Sequence, residues 1–213
     1  MKNIYVVGEA KHYADFIEGA NLVDEISEAD IVVFTGGEDV TPSLYGASLH
    51  PKTFCNPLRD KSEISVFNSI RPNQMVIGVC RGSQLLCMLN GGKLVQHVTG
   101  HGLFHTHSIY NVETGTCYEI TSTHHQMQYP YNLDGKDYSL LYISTSNRST
   151  DYEGDCIDSK ELKSKGEPEI VLYHKENFPK CLAIQGHPEY MRKDSPTVKM
   201  LNNLINSILK TLN

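Results

Sequence analysis

Met75-Val76-Ile77-Gly78-Val79-Cys80-Arg81-Gly82-Ser83-Gln84-Leu85-Leu86 is the stretch that decides the fold. An apolar run ends at a glycine, and one cysteine follows. A second glycine then opens a segment with Leu85, Leu86 and Leu89 at helical spacing. The pattern G-x-C-x-G describes a strand that turns sharply into a helix with a nucleophile at the apex. Glycine is needed on both sides because the turn is strained and other elements pack close to it. A helix N-terminus places partial positive charge and free N–H groups at the Cys80 sulfur, an environment suited to a nucleophilic thiolate.

Working outward, other apolar runs resemble strands buried on both faces. Ile4-Tyr5-Val6-Val7 ends at Gly8, and Asp30-Ile31-Val32-Val33-Phe34 ends at Thr35-Gly36-Gly37. A glycine pair at the C-terminal end of a buried strand lets backbone approach a ligand closely, and doubly wound sheets bind ligands at that edge. Tyr13 to Gly19 is expected to be a helix, and Asp60 to Ser69 a second one with an apolar stripe of Ile64, Phe67 and Ile70. Residues 93–97 read as a strand and residues 108–120 as a hairpin. Ser195-Pro196 is an N-cap and first-turn proline for a last helix that buries Val198, Leu201, Leu204, Ile205 and Ile208. Ser149 to Pro168 has little apolar pattern and reads as a loop or dispensable insertion.

The 213 residues fit a single α/β domain spanning 1–213. With 39% hydrophobic and 21% charged residues, the composition is that of an ordinary globular protein. A net charge of -6 argues against nucleic-acid or anionic-membrane partners. No run approaches the roughly 18 apolar residues of a membrane span, and the N-terminus carries no secretory h-region. Cys55, Cys80, Cys87, Cys117, Cys156 and Cys181 lack C-x-x-C spacing and are expected to be reduced thiols of a cytoplasmic protein.

Four histidines, His97, His101, His105 and His107, cluster in sequence. Convergence on zinc is the alternative to weigh. No carboxylate or cysteine stands at ligand spacing beside them, so a surface or substrate-facing loop and no metal are expected.

A cysteine nucleophile needs a base, and the base needs a group to orient it. His187 and Glu189 supply both at i and i+2, a spacing that puts two side chains on one face of an extended segment. The order nucleophile, His, acid differs from the nucleophile, acid, His order of α/β-hydrolases.

Four motifs now stand in order: Gly36-Gly37-x-Asp39-Val40-x-Pro42-x-x-Tyr45-Gly46, Gly78-Val79-Cys80-Arg81-Gly82-x-Gln84, Ser122-x-His124-His125-Gln126 and Gln185-x-His187-Pro188-Glu189. Together they resemble the class I glutamine amidotransferase superfamily, most closely its γ-glutamyl-γ-aminobutyrate hydrolase branch. The resemblance implies a flavodoxin-like three-layer α/β/α sandwich with a mostly parallel central sheet. It implies a triad of Cys80, His187 and Glu189, and an oxyanion hole from the backbone N–H groups of Gly37 and Arg81. Gly36, Gln84, Ser122, Thr123 and His124 would line the glutamyl site, and no cofactor is implied. The stretch before Gly36 is short for this family, so one βα unit is expected to be trimmed.

Three functions compete at this point. The first is hydrolysis of a γ-glutamyl amide through a thioester. The second is a glutaminase delivering ammonia to a separate synthase subunit. The third is a non-catalytic binding module, which the intact triad disfavours. The expected partners are a small γ-glutamyl substrate or glutamine, with a homo-oligomer compatible with the pattern.

Overall fold

The computed structural model describes residues 1–102 and 105–212. Residues 103 and 104, within the histidine-rich loop, lie outside the described residues. In chain order, β1 (Lys2–Val6), β2 (Ala20–Leu22) and β3 (Ile31–Phe34) precede α1 (Pro57–Asn68), β4 (Met75–Val79) and α2 (Arg81–Leu89). There follow β5 (Lys93–Val95), β6 (His97–Val98), β7 (His105–Asn111), β8 (Cys117–Ser122), β9 (Met127–Tyr129) and β10 (Tyr138–Ser144). The chain ends through β11 (Tyr152–Glu153), α3 (Ser159–Lys165), β12 (Pro168–Tyr173), β13 (Cys181–Ile184) and α4 (Pro196–Lys210).

Nine strands form one sheet in the order β2-β1-β3-β4-β13-β12-β10-β7-β8. From β2 to β13 every pairing is parallel, and from β13 to β8 every pairing is antiparallel. The buried parallel strands divide their side chains between two cores, as strands covered on both faces must. Ile31 and Val33 of β3 join Ile77 of β4, Tyr13 and the Val198, Leu201 and Ile205 face of α4. Val32 and Phe34 join Val76, Phe67 of α1 and Leu85 and Leu86 of α2. Helices therefore cover both faces, the expected α/β/α sandwich. The hairpin over residues 108–120 is realised in β7 and β8, and α4 has the Ser195 cap, whose hydroxyl accepts from Val198 N–H at 3.2 Å.

Several local expectations are corrected. Tyr13 to Gly19 is not an α-helix; a 3-10 helix at Lys11–Ala14 carries Tyr13 inward, and no side chain caps its start. A second 3-10 turn, Ile26–Glu28, makes the next crossover. Residues 93–97 divide between two short ladders, β5 with β9 and β6 with β11. The stretch 149–168 is not a dispensable loop. It contains β11 and α3, whose Leu162 is fully buried with Val95, Met127 and Tyr129.

Helix α1 is the most instructive correction. Phe67 and Ile70 are buried as expected, but the rest of the inward face is Asp60 and Glu63 rather than Ile64. Two buried carboxylates demand a cationic partner. Arg81, the residue after Cys80, supplies it, and its guanidinium pairs with Asp60 and Glu63.

Candidate active site

Cys80 sits between β4 and α2 with φ 53 and ψ -111, in the left-handed half of conformational space that side chains rarely adopt. Its neighbours hold it there. Cys80 N–H donates to Ile184 O at 2.8 Å, and its carbonyl accepts from Ser83 N–H at 3.0 Å and from the Ser83 hydroxyl at 2.6 Å. The glycines on either side are required by contact: a Cβ on Gly78 would collide with Gly82 carbonyl, and one on Gly82 with Phe34 carbonyl. Backbone strain at a nucleophile persists only when the surroundings over-determine it in this way.

His187 lies just past β13, the strand paired with β4 in the register Ile184↔Val79. The two candidate partners thus leave adjacent strands at the same edge. His187 Nδ1–H donates to Glu189 Oε1 at 2.7 Å. The carboxylate reaches the ring from a 3-10 turn, Pro188–Tyr190, with His187 as its N-cap. A turn, rather than the alternation of an extended strand, makes the i, i+2 pair. The imidazole stacks on Tyr190 with ring centroids 5.0 Å apart, and its main chain is tied to Thr121, whose hydroxyl donates to His187 O at 2.5 Å. Nε2 is buried without a hydrogen-bond partner and is free to serve the sulfur side. Burial alone would lower the His187 pKa. The Cys80 sulfur and the Glu189 carboxylate outweigh it and raise the pKa from 6.5 to about 10.

The Gly36-Gly37 loop stands against this pair. A Cβ on Gly36 would come within 3.4 Å of His187 Cε1, so the loop lies beside the imidazole. Arg59 of α1 secures the loop. Its Nη2–H donates to Gly36 O at 2.8 Å, its Nη1–H to Glu38 at 2.7 Å and its Nε–H to Glu63 at 2.8 Å. Glu63 also pairs with Arg81, so a continuous chain of ion pairs joins the glycine loop to the start of α2. Burial lowers the Arg81 pKa to about 10, with nearby Arg59 adding to the effect. Arg59, Asp60 and Glu63 escaped sequence reading because a charged helix face ordinarily points to solvent. Tyr13 was missed as well. Its pKa is raised by burial first and then by the charges of Glu189, Tyr190 and Cys80.

The other expected site residues are placed as follows. Gln84, one turn into α2, is buried, and its Nε2–H donates to Gln126 O at 3.0 Å. Ser122 donates its hydroxyl to His101 O at 2.8 Å, which commits it to the protein rather than to a ligand. Thr123 lies in the bend after β8 and is half-buried. His124 is buried with Nδ1–H donating to Gln126 O at 2.8 Å, leaving Nε2 without a partner. Burial, then His101, holds the His124 pKa well below its usual value, so this ring is neutral.

The four clustered histidines part company. His105 is exposed. His97 lies beside His50, His125 and Glu153. His101 and His107 are buried, which corrects the expectation of a surface or substrate-facing loop.

A family model described as Peptidase C26 matches residues 17–135, a stretch that contains Cys80 and ends before His187. The glutamine amidotransferase-like protein YvdE of Lactococcus lactis is 35% identical over 172 residues, covering 79% of this chain and 70% of that protein. Two solved structures share the fold. PurLQS from Thermotoga maritima has a TM-score of 0.61 at 17% identity, with all of each chain covered. A glutamine amidotransferase from the same organism has a TM-score of 0.56 at 14% identity, covering 99% of this chain and 96% of that one. No helix among the described residues is long and apolar enough to cross a membrane.

Proposed function

The chain belongs to the Peptidase C26 family, within the class I glutamine amidotransferase superfamily, and from that premise we propose that it hydrolyses the γ-glutamyl amide bond of a small molecule through a cysteine thioester. The observation that carries this reading is the 2.7 Å bond from His187 to Glu189, set beside Cys80 on strained backbone. A nucleophile, a base and a group that orients the base are the parts covalent hydrolysis needs.

In this mechanism the Cys80 sulfur attacks the γ-carbonyl carbon, and negative charge gathers on the carbonyl oxygen. The backbone N–H groups of Gly37 and Arg81 are its donors; Arg81 N–H, in the first turn of α2, has no intrahelical acceptor. Protonated His187 gives its Nε2 proton to the departing amine as the C–N bond breaks. Neutral His187 then takes a proton from water, whose oxygen attacks the thioester carbonyl carbon. The C–S bond breaks and glutamate leaves. Glu189 stabilises the imidazolium at both stages.

Gly36, Gln84, Ser122, Thr123 and His124 line the proposed glutamyl site. Gln84 Oε1 and Gln126 Oε1 are buried acceptors without partners, which suits an α-ammonium group. Ser122 contributes through its main chain, since its hydroxyl is already committed.

A second reading is a glutaminase working with a separate synthase subunit. It is favoured by YvdE's being described as glutamine amidotransferase-like. Glutamate release by the isolated protein from glutamine and from a panel of γ-glutamyl amines separates the two. The hydrolase reading expects Cys80-dependent turnover of a γ-glutamyl amine without any partner. Turnover of glutamine that appears only with an added synthase would replace it with the second reading. Activity surviving Cys80→Ala would remove the thioester from both.

A further inference from the structure

Two histidines and two glutamates outside the triad share one buried site. His101 follows β6, His107 lies on β7, Glu167 immediately precedes β12 and Glu169 lies on it. All four side chains are at most 1% exposed. One nitrogen of His101, one of His107 and one oxygen of Glu169 lie within 4.8 Å of one another. His101 Nδ1 is 3.8 Å from Glu169 Oε1, and His107 Nε2 is 2.7 Å from the same oxygen.

The second nitrogen of His101 explains why the first is available. His101 Nε2–H donates to Glu167 Oε2 at 3.1 Å. In a neutral imidazole that donation leaves a lone pair on Nδ1, and Nδ1 is buried with no hydrogen-bond partner. Glu167 is fixed in turn by Arg148 N–H at 3.0 Å, Ser149 N–H at 2.8 Å and the Tyr152 hydroxyl at 2.8 Å. A histidine that gives one ring N–H to an anchored carboxylate and aims the other nitrogen into a buried site is arranged as metal-ligating histidines are. Glu169 Oε2 is a further buried atom without a partner.

We propose that His101, His107 and Glu169 are the ligands of a divalent transition-metal site of the zinc type, with Glu167 orienting His101. Two imidazoles and one carboxylate are a zinc-binding set. A divalent cation also offsets the two carboxylates that the fold buries here, a task that otherwise falls to protons on the imidazoles. Bonds of about 2.1 Å in a tetrahedral site set ligand atoms about 3.4 Å apart. His101 therefore closes slightly on Glu169, and the His107–Glu169 pair opens as the cation displaces their shared proton.

The site braces the segment leading to the catalytic edge. The His101 carbonyl holds the Ser122 hydroxyl, and its ring lies 4.5 Å, centroid to centroid, from that of His124. Through β12 the same cation ties the chain to the neighbour of β13. It makes no contact with the sulfur chemistry proposed above, and its test does not depend on turnover.

The experiment uses the full chain refolded with one equivalent of Co(II), which reports low-coordinate binding by its visible absorption, beside metal analysis of protein grown with added zinc. The expected result is one bound metal per chain, with a Co(II) spectrum that zinc abolishes. His101→Gln and His107→Gln should each lose the spectrum while keeping the wild-type circular dichroism. Glu167→Gln should weaken binding about 10–100-fold, the usual effect of removing an orienting carboxylate. His105→Gln, which alters the exposed neighbour, should leave the spectrum unchanged. If a histidine variant fails to fold, the wild-type stoichiometry and the Glu167→Gln result decide. Folded wild-type protein that holds no metal by either route overturns the proposal. So does a spectrum that persists in His101→Gln but vanishes in His50→Gln, which would place the metal at the exposed His50–Glu153 group.

Discussion

Arg59 occupies the space that a side chain at Gly37 would need: a Cβ built there collides with the guanidinium, and Gly37 holds φ +138 besides. The same guanidinium donates to Gly36 O at 2.8 Å. The loop proposed to supply the oxyanion donor is thus shaped by a side chain on another helix. Gly37→Ala should displace the loop, and with it the Gly37 N–H, while the sheet and helices stay folded, lowering kcat by about 100- to 1000-fold, the usual effect of losing such a donor. Arg59→Gln should lower kcat in the same direction while Cys80 remains open to alkylation. Steady-state kinetics alongside iodoacetamide labelling tests both, and an unchanged kcat in Gly37→Ala would remove Gly37 from the oxyanion hole.

His187 should titrate near pH 10, and the causes of that shift name its controls. Removing the sulfur in Cys80→Ala, or the charge in Glu189→Gln, should each move the titration down toward 6.5. Histidine resonances followed by NMR against pH report this directly. The stability consequence has a definite sign. A folded-state pKa above the unfolded one stabilises fully below pH 6.5, and the gain disappears as pH rises to about 10. The stability difference between wild type and Glu189→Gln should therefore narrow over that range, which urea melts at several pH values will measure.

Arg81→Met should be strongly destabilising, because it leaves the buried Asp60 without its cation and Glu63 with Arg59 alone. Breaking a buried pair from one side costs about 3–5 kcal/mol. The triple variant Arg81→Met, Asp60→Asn, Glu63→Gln should recover part of that loss. Chemical denaturation of the three proteins decides it, and a single variant as stable as wild type would mean the acids are satisfied elsewhere.

Leu162→Ala should lower stability by about 2–5 kcal/mol, as expected for truncating a fully buried leucine. A loss near zero would restore the view of 149–168 as dispensable. Thermal and urea unfolding of this variant provide the measurement.

Much of this architecture is legible in the sequence because it depends on local pattern. Apolar runs ending in glycine mark β3 and β4, Ser195-Pro196 marks the start of α4, and G-x-C-x-G marks the elbow. What stayed hidden depends on partners distant in the chain. Nothing near His101 or His107 advertises Glu167 and Glu169, which arrive at the start of β12 more than sixty residues later. Asp60 and Glu63 read as a solvated face until Arg81 is known to be buried against them. Tyr13 sits in a connection too short for helical periodicity, so no pattern announces that it turns toward the catalytic edge. Glu189 does reach His187, but through a 3-10 turn rather than an extended segment.

The sheet changes direction at β13, with β4 parallel on one side and β12 antiparallel on the other. Cys80 directly follows β4 and His187 lies a short way past β13, so the two leave one parallel strand pair at the same edge. The antiparallel half reaches this edge through β8, whose Thr121 holds the His187 main chain. The β7–β8 hairpin is thereby coupled to the position of His187, so a change in its length or register shifts that imidazole.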